Sequence, residues 1–466
     1  MNFSTENLVF DPELIRKYDI NGPRYTSYPT ADRFTEAFGP DQYCHWLSQR
    51  GADGVNRPLS LYIHIPFCNT ICYYCGCNKI ITKDHGRSAK YIRYLAKEIA
   101  LQTKHLAGDR LVTQLHFGGG TPTFLSDEEM RTIWKHIRDH FTLAEDGEYS
   151  IEVDPRKVDA GNVATLGELG FNRMSIGVQD FDEKVQVAVN RVQSEAETMT
   201  VMNAARQNGF NSISIDLIYG LPHQTVEGFD RTLDRILSAD PDRLAIYNYA
   251  HLPHIFKPQR RINEADVPSP DAKMQILALA IKKLTDAGYV FIGMDHFAKP
   301  NDELAVAQRE GRLHRNFQGY STRAECEMLA FGISSIAKFG PAYAQSVKTT
   351  DEYYERLDQG QLPIYRGLEL NADDILRRDV ITQLMCHFEL SFDAVEKMSA
   401  FPIRFREYFA TELEEMKPLE AGGLVRVEPD RIVVLPAGRM LVRIVAMRFD
   451  AWLRRDIEQK RYSKVI

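Results

Sequence analysis

The chain has 466 residues, 44% hydrophobic and 26% charged, an ordinary balance for a globular protein with a large core. Its length favours one large domain plus a smaller one over a single domain of about 100–200 residues. Lys and Arg number 57 against 64 Asp and Glu, and the resulting net charge of −7 argues against a nucleic-acid partner, though not against a local basic pocket.

The first 52 residues read as an N-terminal arm or lid. Residues 1–6 lack the basic start and apolar run of a secretory leader, and no apolar stretch reaches the roughly 18 residues of a membrane-spanning helix. Outside residues 68–77 the cysteines are Cys44, Cys326 and Cys386, far apart in sequence. That is no disulfide framework, so a reducing compartment, the cytoplasm, is expected. Within the arm, Pro23-Arg24-Tyr25-Thr26-Ser27-Tyr28-Pro29 is framed by prolines and is expected to be extended. Its tyrosines either pack on the core or belong to a strap that contacts substrate.

From about 58 to 250, short β-rich runs alternate with longer helical ones. Strands are predicted at 59–65, 111–117, 149–154, 173–178, 212–218 and 243–249. Helices are predicted near 88–106, 126–140, 160–169, 194–208, 225–238 and 270–287. Six strand–helix units imply a parallel sheet with right-handed crossovers. Six rather than eight gives an α/β fold, a partial, three-quarter TIM-like (β/α)6 barrel, with ligands at the C-terminal strand ends. Residues 289–297 start as a strand and end polar, and 331–344 read as a strand or turn returning to the core. Beyond 351, helices are predicted near 351–359, 371–387, 403–416 and 437–458, with two short strands in 423–435. This mostly helical, winged-helix-like C-terminal domain is expected to cap the barrel, since it lacks the basic recognition helix of a DNA binder. The expected divisions are thus 1–52, 53–350 and 351–466.

One stretch carries the chemistry: Cys68-Asn69-Thr70-Ile71-Cys72-Tyr73-Tyr74-Cys75-Gly76-Cys77, directly after the first strand. It holds four of the seven cysteines, the first three spaced C-x3-C-x2-C. A zinc site would need a second cysteine pair further along, and none follows. Three thiolates from one short loop suit a cubane iron–sulfur cluster with one iron left open. Cys77 is open to three readings: a fourth ligand, a spare thiol or a hydrogen donor. Four ligands within so short a loop would be crowded, which favours a non-ligand role.

Gly118-Gly119-Gly120-Thr121 follows the second strand, where glycines let backbone approach a ligand closely. The pattern is not that of a nucleotide-triphosphate loop. Glu152 and Asp154 close the third strand, and alternation is taken to send them to opposite faces, one into the barrel. Gln179 and Asp180 close the fourth, and Asp216 lies in the fifth. A carboxylate in an apolar strand is costly unless paired, so structural pairing with Arg173 or Arg191 is the competing reading.

Together these features resemble the radical S-adenosylmethionine superfamily, whose C-x3-C-x-aromatic-C signature matches Cys68, Cys72, Tyr74 and Cys75. Within it the chain is similar to the oxygen-independent coproporphyrinogen III oxidases. The residues that carry this are Pro-Arg-Tyr-Thr-Ser-Tyr-Pro at 23–29, Tyr-Ile-His-Ile-Pro-Phe-Cys at 62–68 and Cys-Gly-Cys-Asn-Lys at 75–79. Gly-Gly-Gly-Thr-Pro-Thr at 118–123, Ile-Glu-Val-Asp-Pro-Arg at 151–156 and Gly-Met-Asp-His-Phe-Ala at 293–298 add to it.

The resemblance implies a 4Fe–4S cluster on Cys68, Cys72 and Cys75, with S-adenosylmethionine on the open iron. Reductive cleavage would give a radical that removes hydrogen from a propionate. Two propionates of coproporphyrinogen III would become vinyl groups, giving protoporphyrinogen IX for heme (porphyrin) biosynthesis without oxygen. Tyr62 and Cys77 are the implied catalytic residues. The implied contacts are Tyr62, Gly119, Glu152 and Ile336 for the cluster-bound S-adenosylmethionine. For a second molecule they are Tyr74, Gly120, Thr121, Gln179, Arg191, Asp216 and Ala250. A flavodoxin- or ferredoxin-type electron donor and a monomer are expected. A tetracarboxylate calls for basic side chains, with Arg24 and His296 the first candidates, then Arg309 and Arg315. The alternative within the superfamily is a heme-binding chaperone. Such chaperones lack the fourth cysteine and carry His-Asn-x-x-Tyr-Trp, where this chain has His314-Arg315-Asn316-Phe317-Gln318-Gly319-Tyr320-Ser321.

Overall fold

The computed structural model describes residues 3–4 and 8–455. It divides into two compact units, one of Phe34–Pro268 with Glu325–Glu369, the other of Met1–Arg33 with Ser269–Ala324 and Leu370–Ile466.

The first unit contains the six predicted strands and the helices that follow the first five; the sixth predicted helix, Pro270–Asp286, belongs to the second unit. The six strands are β1 (Leu59–Ile65), β2 (Leu111–Gly119), β3 (Thr142–Val153), β4 (Arg173–Gln179), β5 (Ser212–Tyr219) and β6 (Arg243–Asn248). They lie side by side in chain order and every neighbouring pair is parallel. Sequence order equals spatial order because each strand feeds a helix that returns along one face. These helices start on local signals. Ser126 accepts from the Glu129 N–H and Glu129 reaches back to the Ser126 N–H, a reciprocal cap that Ser194 and Glu197 repeat. Alternate strand residues such as Leu61, Ile63, Leu115 and Phe117 are wholly buried. Trp134 of helix Asp127–His140 packs against Phe171, with ring centroids 4.6 Å apart, and each such burial stabilises by roughly 2–3 kcal/mol.

The sheet continues past β1. The segment expected as a single strand or turn near 331–344 is three strands, β7 (Glu327–Phe331), β8 (Ile336–Phe339) and β9 (Ala342–Ser346), followed by β10 (Ile364–Glu369). β7 runs parallel to β1 and the rest are antiparallel. β3 also starts at Thr142, before its predicted onset, because its polar first half pairs by backbone with Leu111 and Val112. A short helix, Glu183–Ala188, was not foreseen.

In the second unit the arm departs from the extended form expected of 23–29: residues 22–25 are neither helix nor strand, Tyr25 takes a left-handed φ of +46°, and 26–29 bend. Tyr25 and Tyr28 are buried: Tyr25 donates to Asp450 Oδ2 (3.0 Å) and Tyr28 accepts from the Ala451 N–H (3.1 Å). Arg443 donates to the carbonyls of Gly22 and Pro23. The C-terminal part is helical around a small antiparallel sheet of Glu389–Ser391, Arg431–Val434 and Val425–Val427. Two helix predictions need correction. The one at 403–416 breaks at Phe409 into Phe405–Tyr408 and Ala410–Ala421. The one at 437–458 is Val442–Ala446, a 3-10 turn Met447–Phe449 and Ala451–Arg455, with its final residues outside the described part. Asp450 causes the second break, since its carboxylate takes the Leu453 N–H as a cap and starts a new helix. Among the described residues no helix is long and apolar enough to cross a membrane.

Candidate active site

The C-terminal ends of β1 to β5 surround a cavity of about 460 Å³. Its wall includes Cys68, Cys72, Tyr74, Cys75 and Cys77 from the loop after β1, and Gly119, Gly120 and Thr121 from the end of β2. Four more of the predicted contacts, Glu152, Gln179, Arg191 and Asp216, also line it. Asp154 lines the same cavity, which corrects the expectation of opposite faces: residues two apart in a strand share a face.

The cysteine loop is held from several sides. Tyr73 N–H donates to the Val189 carbonyl (2.9 Å), and Asn190 Nδ2 donates to that of Ile71 (2.7 Å). Lys79 Nζ donates to the carbonyls of Cys75 (3.1 Å) and Cys77 (3.3 Å), folding the loop back on itself. Gln259 Nε2 bridges the carbonyls of Tyr74 (3.1 Å) and Ala250 (3.2 Å), which ties the predicted contact Ala250 to the cysteine loop although it does not line the cavity. Cys72 is buried, Cys68 and Cys75 are half-buried, and Cys77 is exposed; none is in a disulfide. Burial pushes the Cys68 thiol up to about 11, partly offset by a contact with Thr121 Oγ1 at 3.4 Å.

The glycines of the β2 end are required by close approach. A Cβ on Gly119 would stand 2.7 Å from the His64 ring, and φ there is +120°. A Cβ on Gly120 would stand 2.6 Å from the Pro66 carbonyl oxygen. In return Gly119 N–H donates to Glu152 Oε2 (3.2 Å) and Gly120 N–H to the Ile65 carbonyl (2.8 Å).

Two charged groups are set by their surroundings. Burial pushes the Asp216 carboxyl up to about 7, with the Glu152 charge adding to it and the Ser175 hydroxyl bond (2.9 Å) opposing it. Burial would also raise Asp154, but Arg156 and Arg191 hold it below the usual carboxylate range. Arg191 Nη1 reaches Asp154 Oδ2 (3.4 Å) and Nη2 reaches the Gly177 carbonyl (2.6 Å), while its buried Nε has no hydrogen-bond partner.

The other predicted residues lie elsewhere. Tyr62, on β1, stacks on His116 (5.9 Å) and its hydroxyl lies 3.1 Å from His64 Nδ1. His64 Nε2 lies 3.2 Å from the Asn78 carbonyl, which only accepts, so Nε2 carries the proton and Nδ1 accepts from Tyr62. Burial pushes His64 down to about 4, which keeps it neutral. Ile336 opens β8 and pairs with Gln345; neither it nor Tyr62 lines the cavity. Asp180 is structural: buried, it accepts from Gln224 Nε2 (2.6 Å) and Thr232 Oγ1 (2.7 Å). In the second unit Arg24 is ion-paired with Asp295, and its carbonyl accepts from Arg315 Nε (3.4 Å). His296 meets Tyr320 edge-on at 5.3 Å, and Arg309 Nη1 donates to the Pro300 carbonyl (2.6 Å). Sequence reasoning passed over Lys79 and Arg156, although both stand in motifs it singled out.

A three-cysteine loop over an open partial barrel defines the class, and residues 62–236 match the Radical SAM superfamily. Residues 370–441 match the HemN C-terminal domain. The chain is 50% identical over 463 residues to an oxygen-independent coproporphyrinogen III oxidase of Pseudomonas aeruginosa, covering 99% of this chain and 100% of that one. It is 48% identical to the Escherichia coli enzyme of the same name, again over 99% and 100%. A solved structure of coproporphyrinogen III oxidase from Escherichia coli, described as a Radical SAM enzyme, superposes with a TM-score of 0.91 at 46% identity, covering 96% of this chain and all of that one. The chain belongs to the family of oxygen-independent coproporphyrinogen III oxidases.

Proposed function

We propose that the cavity is the reaction centre for oxidative decarboxylation of two propionates of coproporphyrinogen III to vinyl groups, giving protoporphyrinogen IX in heme biosynthesis. The observation that carries this reading is the convergence of four free thiols, a glycine cradle and an acid–base lining in one cavity at the strand ends. The relatives' names favour the oxidase over a heme-binding chaperone.

The residues suit a 4Fe–4S cluster. Among the described residues no group of three or more His, Cys, Asp or Glu closes on a single ion. A cubane instead takes each thiolate on a different iron, which suits three cysteines spread along a loop wall. Cys68, Cys72 and Cys75 would hold it. When bound, the cluster supplies one electron to S-adenosylmethionine, whose cleavage yields the species that takes hydrogen from a propionate.

The chain's own groups do the positioning. Glu152, fixed by the Gly119 N–H, would receive the ammonium group of a first S-adenosylmethionine. The unpartnered Arg191 Nε would take the carboxylate of a second. Tyr74, Gly120, Thr121, Gln179, Asp216 and Ala250 would complete that second site, with Tyr62 and Ile336 at the first. Cys77 would act near the substrate rather than on the cluster. Arg24 and His296 would receive substrate carboxylates. A monomer in the cytoplasm, reduced by a flavodoxin- or ferredoxin-type protein, completes the reading.

Anaerobic reconstitution tests the site. Cys68→Ala, Cys72→Ala and Cys75→Ala should each lose iron, Cys77→Ser should keep it, and equilibrium dialysis should find two S-adenosylmethionine molecules per chain. Full iron in any of the three alanine variants overturns the ligand assignment, and one molecule per chain overturns the second site.

A further inference from the structure

We propose that Arg156 and Arg191 form a guanidinium pair that donates N–H···S hydrogen bonds to Cys72 and thereby makes the bound cluster easier to reduce. The inference rests on Cys72 being a cluster ligand.

Arg156 Nη2 lies 3.9 Å from Cys72 Sγ, and Arg191 Nη1 lies 3.7 Å from it. Both are within reach of a hydrogen bond to sulfur. The two arginines are held there by one carboxylate. Arg156 Nη2 donates to Asp154 Oδ2 at 2.6 Å and its Nε to Oδ1 at 2.9 Å, while Arg191 Nη1 meets the same Oδ2 at 3.4 Å. Asp154 is itself fixed, because the Arg156 N–H donates to Oδ1 (3.2 Å) within the turn Pro155–Lys157. Two positive charges against one negative leave a net positive charge beside Cys72. The other two cysteines have different partners: Cys68 contacts the Thr121 hydroxyl, and the Cys75 sulfur is met by Lys79 and Cys77, so Cys72 is the one with a guanidinium pair.

Reduction adds a negative charge to a cluster already surrounded by thiolates. Donors to the sulfur and nearby positive charge stabilise the reduced form more than the oxidised one, so they raise the reduction potential. Burial of Arg156 and Arg191, with side chains 14% and 8% exposed, limits screening by solvent. The pair therefore acts through the cluster as a positioning and tuning device, and Asp154 aims it.

The test is an EPR-monitored redox titration of the reconstituted protein without S-adenosylmethionine, comparing the parent with Arg156→Gln and Arg156→Lys. Iron per chain should be unchanged. The midpoint should move to a more negative potential in both variants, further for Gln, which loses charge and fork, than for Lys, which loses the fork alone. An unchanged midpoint with intact iron overturns the proposal. Loss of iron in both variants also overturns it, because Arg156 would then be a clamp on the loop. The ligand assignment fails by a different result, full iron in Cys72→Ala, so the two readings are separable.

Discussion

Gly120→Ala tests whether the cysteine loop and the β2 end meet as closely as the structure shows. The added Cβ would stand 2.6 Å from the Pro66 carbonyl oxygen, 2.7 Å from its carbon and 2.9 Å from the Phe67 carbonyl oxygen. Ordinary contact begins at 3.4 Å, so the two segments must part by 0.8 Å (3.4 − 2.6). All three obstacles are backbone, and none can rotate away. Overpacking of this kind costs about 1–3 kcal/mol. Parting also strains the bond from Gly120 N–H to the Ile65 carbonyl (2.8 Å), worth roughly 1 kcal/mol. The expected loss is about 2–4 kcal/mol, read from urea unfolding of the cluster-free protein, with lower iron uptake on reconstitution. Gly161→Ala is the contrast. Its nearest obstacle is the Asp159 carboxylate at 3.1 Å, which has to give only a few tenths of an ångström while keeping its cap on the Asn162 N–H (2.9 Å), so the loss should stay below about 1 kcal/mol. Equal urea midpoints for Gly120→Ala and the parent would refute the close approach.

Cys77→Ser should keep the cluster's absorption spectrum while product formation falls or disappears, as followed by anaerobic assay of vinyl product; loss of the spectrum would make Cys77 a ligand. Glu98 is wholly buried and accepts from Tyr353 (2.6 Å), Gly332 N–H (2.7 Å) and Gln102 (3.1 Å), yet burial still pushes its carboxyl from 4.5 up to about 7. Its folded pKa lies above the unfolded one, so folding takes up a proton in that window and stability falls as pH rises through it. The fall is on the order of 3 kcal/mol. Glu98→Gln should flatten urea midpoints measured between pH 4.5 and 7, and an unchanged slope would dismiss Glu98 as its source. Arg50 is buried, pairs with Glu327 (3.1 Å) and donates to the carbonyls of Arg57, Ala107 and Asp109. Arg50→Ala should therefore cost about 3–5 kcal/mol in the same assay, whereas a loss near zero would mean solvent takes its place.

The repeating part of the fold was legible because each strand–helix unit carries its own signals. Apolar runs mark β1 to β6, and caps such as Ser126 with Glu129 mark helix starts. What escaped depends on distant partners. The first half of β3 is polar and becomes strand through backbone pairing with β2. β7 to β9 are short, and what orders them is the β1 edge and one another. The break at Asp450 follows from where one carboxylate caps. In the site, cysteine spacing and the glycine run were readable as local patterns. Arg156 and Lys79 were not, since their roles arise from the loop folding back over the strand ends. Glu152 and Asp154 were misplaced although the two-residue period was available to place them together.

Anaerobic turnover of the reconstituted protein tests the central claim most directly. With reductant, S-adenosylmethionine and coproporphyrinogen III, the account predicts carbon dioxide release and protoporphyrinogen IX, abolished by Cys72→Ala. Cleavage of S-adenosylmethionine with neither carbon dioxide nor vinyl product would contradict the substrate assignment.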